Sequence, residues 1–452
     1  LANNSNILIL SENEVKAFKS AIKEGNKKKW SRTLKYLPNI KNKTAKKIIT
    51  WRWLIANDGI AELNDLKKFY SSNKNWPKVN SIVKKIENKM SFNDFKSAMN
   101  WFQDNPPTSA IAKIKLAKLL LKNNFEEEGQ WLLKETWISN TFTLKEEKYI
   151  LNNFKSIIIT SDNTKRIEKL IWKKKWGSAN RQLKRVSPDI RKLSMAKIKL
   201  SRRRGNVDNA ITNVPNYLLN EEGLVFERIK WRRRAKLEKS SLELLLKYNN
   251  NMNYPKKWWR EVNYHTRKQL SYGNIDTALN LLNKYNSKSN KYLAESSWLS
   301  GWLSLTFNKN PRIGYEHFSK MFIEVVTPIS KARSAYWAGK SAKTLGDREG
   351  STVWYERAAS YPATFYGQLA LRELKKDLYM PTFNNKLDVK DYDNYKTKEL
   401  VKALIILLQT DEKKLSRLFA MHLASQAQST KDILMLSKLL KSYNKISLSI
   451  FI

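Results

Sequence analysis

The sequence predicts an all-α chain: a superhelical stack of antiparallel helical hairpins, in the manner of a tetratricopeptide solenoid. Three observations predict it. Apolar residues recur at helical spacing, and no run alternates strictly. Turn positions in the middle of the chain fall at Gly205, Lys239, Gly273, Lys309 and Gly346, at intervals of 34, 34, 36 and 37 residues. Gly (13) and Pro (11) are scarce for 452 residues, which argues against turn-rich all-β folds. Together these imply more than roughly 65% helix and no sheet.

In chain order, turn signals come first at Asn57, Asp58 and Gly59, then at Asn105, Pro106 and Pro107, then at Asn123 and Asn124. Between the last two, residues 111–121 place apolar side chains at i, i+3, i+4 and i+7, the mark of an amphipathic helix. The middle repeat follows. Small residues sit five places beyond four of its turns: Ala210, Ala278, Gly314 and Ser351. They let the second helix of each pair approach the first closely. A single hairpin cannot bury its apolar face, so the units must stack. Trp298, Trp302, Tyr336, Trp337, Trp354 and Phe365 are expected between neighbouring hairpins. Residues 379–395 lack a helical stripe and read as a connector. Helices resume at Lys398, with apolar stripes at 400–408 and 433–440.

Composition excludes several functions. The chain has no cysteine, so it has no disulfide scaffold, thiolate zinc site or Cys nucleophile. Its three histidines, His265, His317 and His422, lie far apart, so no metal site is expected. No cofactor motif is present. The longest apolar run, 403–408, is too short to span a bilayer. Residue 1 is Leu, which a removed signal peptide or a truncation would explain.

Lys and Arg number 85 against 41 acidic residues, a net charge of +44. That balance suggests a polyanion binder. The basic residues run through every segment instead of gathering in one patch, so solvated helix faces are the primary reading and nucleic acid is not the expected partner.

A set of ordered motifs carries a resemblance. Trp298, Gly301 and Trp302 are followed by Pro311, then His317 and Phe318, then Thr327-Pro328-Ile329-Ser330 and Ala332-Arg333. Next come Tyr336-Trp337, Gly339 and Trp354-Tyr355, and finally Tyr361-Pro362-Ala363-Thr364-Phe365-Tyr366-Gly367-Gln368. Trp51-Arg52, Asn75-Trp76-Pro77, Trp101-Phe102, Trp231 and Trp258-Trp259-Arg260 fit upstream. The chain resembles the soluble lytic murein transglycosylases. The resemblance implies a U-shaped superhelical ring over 1–378, a helical linker domain over 379–452, and a lysozyme-like catalytic domain beyond, absent here. It implies a fragment that scaffolds peptidoglycan glycan strands in the periplasm for that catalytic domain, in cell-wall cleavage and turnover. The rival readings are a basic helical-repeat module for nucleic acid and a tetratricopeptide-like protein adaptor.

In this family one Glu is both acid and base. It protonates the glycosidic oxygen and helps the muramyl 6-hydroxyl attack, giving a 1,6-anhydro product. Such a Glu needs an apolar cleft that raises its pKa. Glu295-Ser296 copies the start of the family's catalytic motif, but it sits inside the repeat without the accompanying strings. It reads as an ordinary helix residue, and the chain supplies no catalytic residue. The candidate substrate-binding groups are Arg202, Arg203, Arg204, Arg232, Arg233 and Arg234, whose guanidinium forks suit carboxylates, and Trp258 and Trp259, which would stack on sugars. Against these stand a solvated helix end and a hairpin core. Residues 361–368 read as a seam for the catalytic domain or as a packing turn.

Overall fold

The computed structural model describes residues 8–58, 60–90, 95–285, 290–379 and 388–452. Helix accounts for 76% of them, and no strand occurs among them. Residues 380–387 of the connector reading fall outside the described residues, as does Gly59.

One turn recurs down the chain. Lys28, Asn124, Lys174, Arg203, Lys236, Gly273, Gly346, Lys375, Asp411 and Asn444 all have φ between 53° and 82°. After each, the next backbone N–H reaches five residues back: Lys29 to Glu24, Phe125 to Leu120, Lys175 to Leu170, Arg204 to Lys199, Leu237 to Arg232, Asn274 to Gln269, Asp347 to Ala342, Lys376 to Leu371, Glu412 to Leu407 and Lys445 to Leu440. This is the Schellman closure, which satisfies the orphan carbonyls at a helix end and reverses the chain within a few residues. The turns read at Gly273 and Gly346 are confirmed, and that at Lys309 also has positive φ. The turn read at Lys239 closes three residues earlier, at Lys236. Lys and Asn fill most of these left-handed positions, which explains why the repeat was faint in the first half.

The chain divides into two compact units. One holds 1–140, 146–153 and 384–452; the other holds 141–145 and 154–383.

In the first unit the N-terminal hairpins and the C-terminal helices share one apolar core. Trp51 and Trp76 are fully buried, and Phe419 meets both rings edge-on at 5.2 and 5.7 Å. The Trp51 indole donates to the Pro77 carbonyl (2.8 Å). The Gln409 side chain accepts from the N–H groups of Ile9 and Leu10 (3.0 Å each) and donates to the Leu10 carbonyl (2.8 Å). The Glu399–Gln409 helix carries the apolar run 403–408, and every residue of that run is buried. A helix apolar on all sides is a core helix. At the opposite end, Ser11 and Glu14 form a capping box, and Glu14 also accepts from the N–H groups of Lys41 and Asn42 (2.8 Å each).

One sequence expectation in this unit is corrected. Helix resumes at Val389, not Lys398: the Val389–Thr397 helix is capped by Asp388 and buries Tyr395. Its apolar stripe is two tyrosines, Tyr392 and Tyr395, which is too thin to see as a period.

In the second unit, hairpins follow in sequence. Pro188–Arg202 pairs with Val207–Thr212, Glu222–Arg234 with Glu238–Lys247, and Pro255–Ser271 with Ile275–Lys284. Asn290–Thr306 then pairs with Pro311–Glu324, and Pro328–Thr344 with Arg348–Ala359. The first helix of each pair also packs on the first helix of the next. Close approach depends on missing side chains. A Cβ on Gly301 would lie 2.9 Å from the Phe318 ring, and one on Gly339 would lie 2.9 Å from Tyr355.

The two most specific strings of the resemblance are helix starts. Thr327 caps the Pro328–Thr344 helix by accepting from the Ser330 N–H (3.3 Å), with Pro328 preset at the first turn. Thr364 caps Phe365–Glu373 by accepting from the Gly367 N–H (3.0 Å). A Cβ on Gly367 would lie 2.0 Å from the Tyr361 carbonyl oxygen, so the turn admits only glycine there.

Of the aromatics expected between hairpins, Tyr336 and Trp354 are buried, while Trp298, Trp302 and Trp337 are half-buried. Phe365 corrects the expectation. It is 71% exposed at the first position of the Phe365–Glu373 helix.

Candidate functional site

The two arginine triads stand at successive turns of the second unit. Arg202 ends the Pro188–Arg202 helix, and Arg203, its C-cap, is in the left-handed region. Arg232, Arg233 and Arg234 end the next first helix, where cations suit the carbonyl end of the helix dipole. Stacking brings the triads together: the Arg203 guanidinium donates to the Arg234 carbonyl oxygen (3.2 Å).

The six arginines are not equivalent. Arg202 and Arg204 are exposed at the turn. Arg232 donates to the Ser240 carbonyl (2.9 Å), clamping its own hairpin. Arg233 is committed internally: it forks onto Glu261 (2.5 and 2.9 Å) and stacks 4.8 Å from the Tyr264 ring centroid. The Glu261 hydrogen bonds hold its guanidinium above the usual arginine range, although burial opposes the charge. Arg234 is exposed and faces a depression beside it.

On one side of Arg233 lies an open groove of about 840 Å³, faced by Lys236, Lys239, Glu238, Glu243 and Tyr264. The Tyr264 hydroxyl donates to Glu238 (2.7 Å). Mixed charges, hydroxyls and one aromatic face suit a polar, hydroxylated ligand. A second groove of about 520 Å³ is faced by Glu221, Glu222, Tyr248 and the amides of Asn249, Asn250, Asn251 and Asn253.

Trp258 and Trp259 lie in the core. Trp258 is 0% exposed and stacked on Tyr248 at 4.9 Å, and its indole donates to Glu222 (2.8 Å). Trp259 is also buried, and its indole donates to Glu295 (2.6 Å). Neither ring keeps a face for a sugar, so the stacking expectation is corrected in favour of hairpin core. Glu295 lies on the Asn290–Thr306 helix as that acceptor, and its neighbour Ser296 donates to the Leu293 carbonyl (3.0 Å). Both groups of the Glu-Ser pair serve packing.

Beneath the grooves the second unit buries charge. Lys197 is enclosed and ion-paired to Glu168 and Glu221. Burial opposes its charge, yet the two carboxylates outweigh it and raise its pKa. Burial raises Glu168, and Glu221 adds to that shift. Gly223 leaves the room this requires: a Cβ there would lie 2.7 Å from the Lys197 nitrogen. His265 and Ser241 are buried and hydrogen-bonded to each other (3.0 Å). No group of three or more His, Asp or Glu among the described residues could hold a metal ion, and no helix among them is long and apolar enough to cross a membrane.

The sequence reading missed Lys174, Lys230, Lys257 and Arg260, which face the same region as Arg233 and Arg234. A signal existed. Glu227, Lys230 and Arg234 are spaced i, i+3 and i+7, and Lys257 and Arg260 i, i+3, so each set shares one helix face.

No protein-family profile matches the chain, and no curated protein sequence matches it. Solved structures do match in fold. An inactive variant of the lytic transglycosylase Slt from Pseudomonas aeruginosa superposes with a TM-score of 0.65 at 12% identity, over 98% of this chain and 70% of that one. The 70 kDa soluble lytic transglycosylase of Escherichia coli superposes with a TM-score of 0.56 at 10% identity, over 97% and 69%. The 70 kDa enzyme in complex with bulgecin A gives 0.57 at 11% identity, over 98% and 70%.

Proposed function

We propose that this chain is the helical, non-catalytic part of a soluble lytic transglycosylase, scaffolding peptidoglycan glycan strands in the periplasm for a lysozyme-like catalytic domain. The observation that carries the reading is the extent of the fold likeness: 98% of the chain aligns with 70% of the Pseudomonas enzyme. The motif strings from Trp298 to Gln368 add sequence support. On this reading residues 1–378 act as the ring and 379–452 as the linker, a division by role that cuts across the packing units.

The open groove beside Tyr264 and the exposed arginines Arg202 and Arg204 are the substrate-facing candidates in this chain. Their partners would be stem-peptide carboxylates and sugar hydroxyls.

The test is retention on purified sacculi, with duplex DNA in a parallel arm across a salt series. The reading expects retention on sacculi that outlasts retention on DNA as salt rises. A phosphate-neutralising binder would instead lose affinity steeply with salt while preferring DNA, and that result overturns the reading. The chain alone should release no 1,6-anhydromuropeptides. Release that Glu295→Gln abolishes would reinstate Glu295 as the acid.

A further inference from the structure

A small depression in the second unit encloses about 70 Å³ between the end of the Glu222–Arg234 helix and the start of Pro255–Ser271. Six cations line it: Lys174, Lys230, Arg233, Arg234, Lys257 and Arg260. Two carboxylates face the same space, Glu227 and Glu261.

Both carboxylates are already engaged. Glu227 is ion-paired to Lys230, and Glu261 takes the Arg233 fork. That leaves Lys174, Arg234, Lys257 and Arg260, none of which forms an ion pair among the described residues. Neutral groups hold the inner ammonium instead. Lys257 donates to the Trp172 carbonyl and lies 4.9 Å over the Trp172 ring. Lys230 is buried, 5.1 Å over the Phe226 ring.

Lys230 is buried and Lys257 half-buried, while Lys174, Arg234 and Arg260 reach the depression from its exposed rim. The inner cations, held close together and away from water, are costly to gather unless an opposite charge joins them. The lysines register that cost. Burial lowers Lys257, Glu227 opposes the shift, and Lys230 and Lys174 add to it. Burial lowers Lys230 as well, with Arg234 and Lys174 adding to it against Glu227. The space is several times the ~10–15 Å³ a single water needs, so it admits one small oxyanion and excludes a saccharide.

We propose that this depression is an anion site in which Arg234, Arg260, Lys174 and Lys257 together take one small oxyanion, a phosphate or a carboxylate group. The arginines supply forks that match two oxygens of the anion, and the lysines supply point charges behind them. The site stands apart from the wall-polymer reading, since it needs only a free anion.

Calorimetric titration of the full chain at fixed ionic strength tests it, with inorganic phosphate in one arm and acetate in the other. One saturable site is expected in at least one arm, and the arm that binds more tightly identifies the oxyanion. The double variant Arg234→Gln/Arg260→Gln should weaken that binding about tenfold or more. Arg348→Gln, an exposed charge outside the depression, should leave it unchanged. Circular dichroism melts should show all variants folded, since Arg260 and Arg234 are both exposed. The absence of saturable binding in both arms overturns the proposal. So does an equal loss in Arg348→Gln, which would mark diffuse attraction to a basic surface.

Discussion

The first unit is held by an apolar core that joins segments far apart in sequence, whereas the second stacks sequence neighbours and buries charge between them. In the first, Trp51, Trp76 and Phe419 meet across more than 340 residues of chain. In the second, Lys197 is enclosed with Glu168 and Glu221, Lys230 with Glu227, and Glu261 takes Arg233. Apolar burial is non-directional and supplies stability wherever distant segments must be held. Buried ion pairs supply less net stability, but removing one partner is costly. The first unit should therefore respond to cavities and the second to unpaired charge.

The largest expected effect is Trp51→Ala. It empties a site in contact with Trp76 and Phe419 and removes the Pro77 bond. It should cost the first unit about 3–5 kcal/mol in urea unfolding. A loss under about 1 kcal/mol would mean that the chain ends do not depend on this core.

Next is Lys197→Met, which keeps volume and strands two carboxylates. It should cost the second unit about 3 kcal/mol near pH 8. The loss should shrink as pH falls, because Glu168, raised by burial, takes up a proton once its counter-charge is gone. Equal losses at pH 8 and pH 5 would mean the carboxylates had found other partners.

Gly339→Ala should come third, at about 1–3 kcal/mol, since its Cβ meets the rigid Tyr355 ring. A neutral result would show that the hairpins can part without cost.

The smallest effect is pH dependence through His265. Burial lowers its pKa from 6.5, with Glu261 and Glu238 opposing and Arg233 adding to the shift. The unfolded chain then binds a proton near pH 6.5 that the folded chain refuses. The second unit should be fully stable above that pH and lose stability as pH falls through the lowered folded value. His265→Asn should flatten the slope.

Much of the second unit was legible because its contacts are local. A 34–37-residue period, Gly273 and Gly346 at the turns, and Gly314 at the close approach can each be read from neighbours in sequence. The first half was less legible for a physical reason. Its reversals use Lys28 and Asn124 where glycine would announce a left-handed residue. The Ser11–Glu14 capping box was a sequence signal that went unused. At the candidate site, the arginine triads were visible as runs, while Lys174, Lys230, Lys257 and Arg260 come from three separate helical regions and converge only by stacking.

The sequence by itself determined the helical content, the hairpin period and the positions of the caps. Those depend on backbone hydrogen bonding and on side chains within a turn or two. Only the tertiary structure decided which chemically able residues remain available. Trp258 and Trp259 are as aromatic as any sugar platform, but Phe226 and Tyr248 of the preceding hairpin cover Trp258 and the Trp259 indole is taken by Glu295 of the following one. Arg233 is as cationic as Arg234, but Glu261 from the next hairpin takes it. Availability depends on what a neighbouring helix leaves uncovered, and a linear pattern carries the residue types without the covering partner.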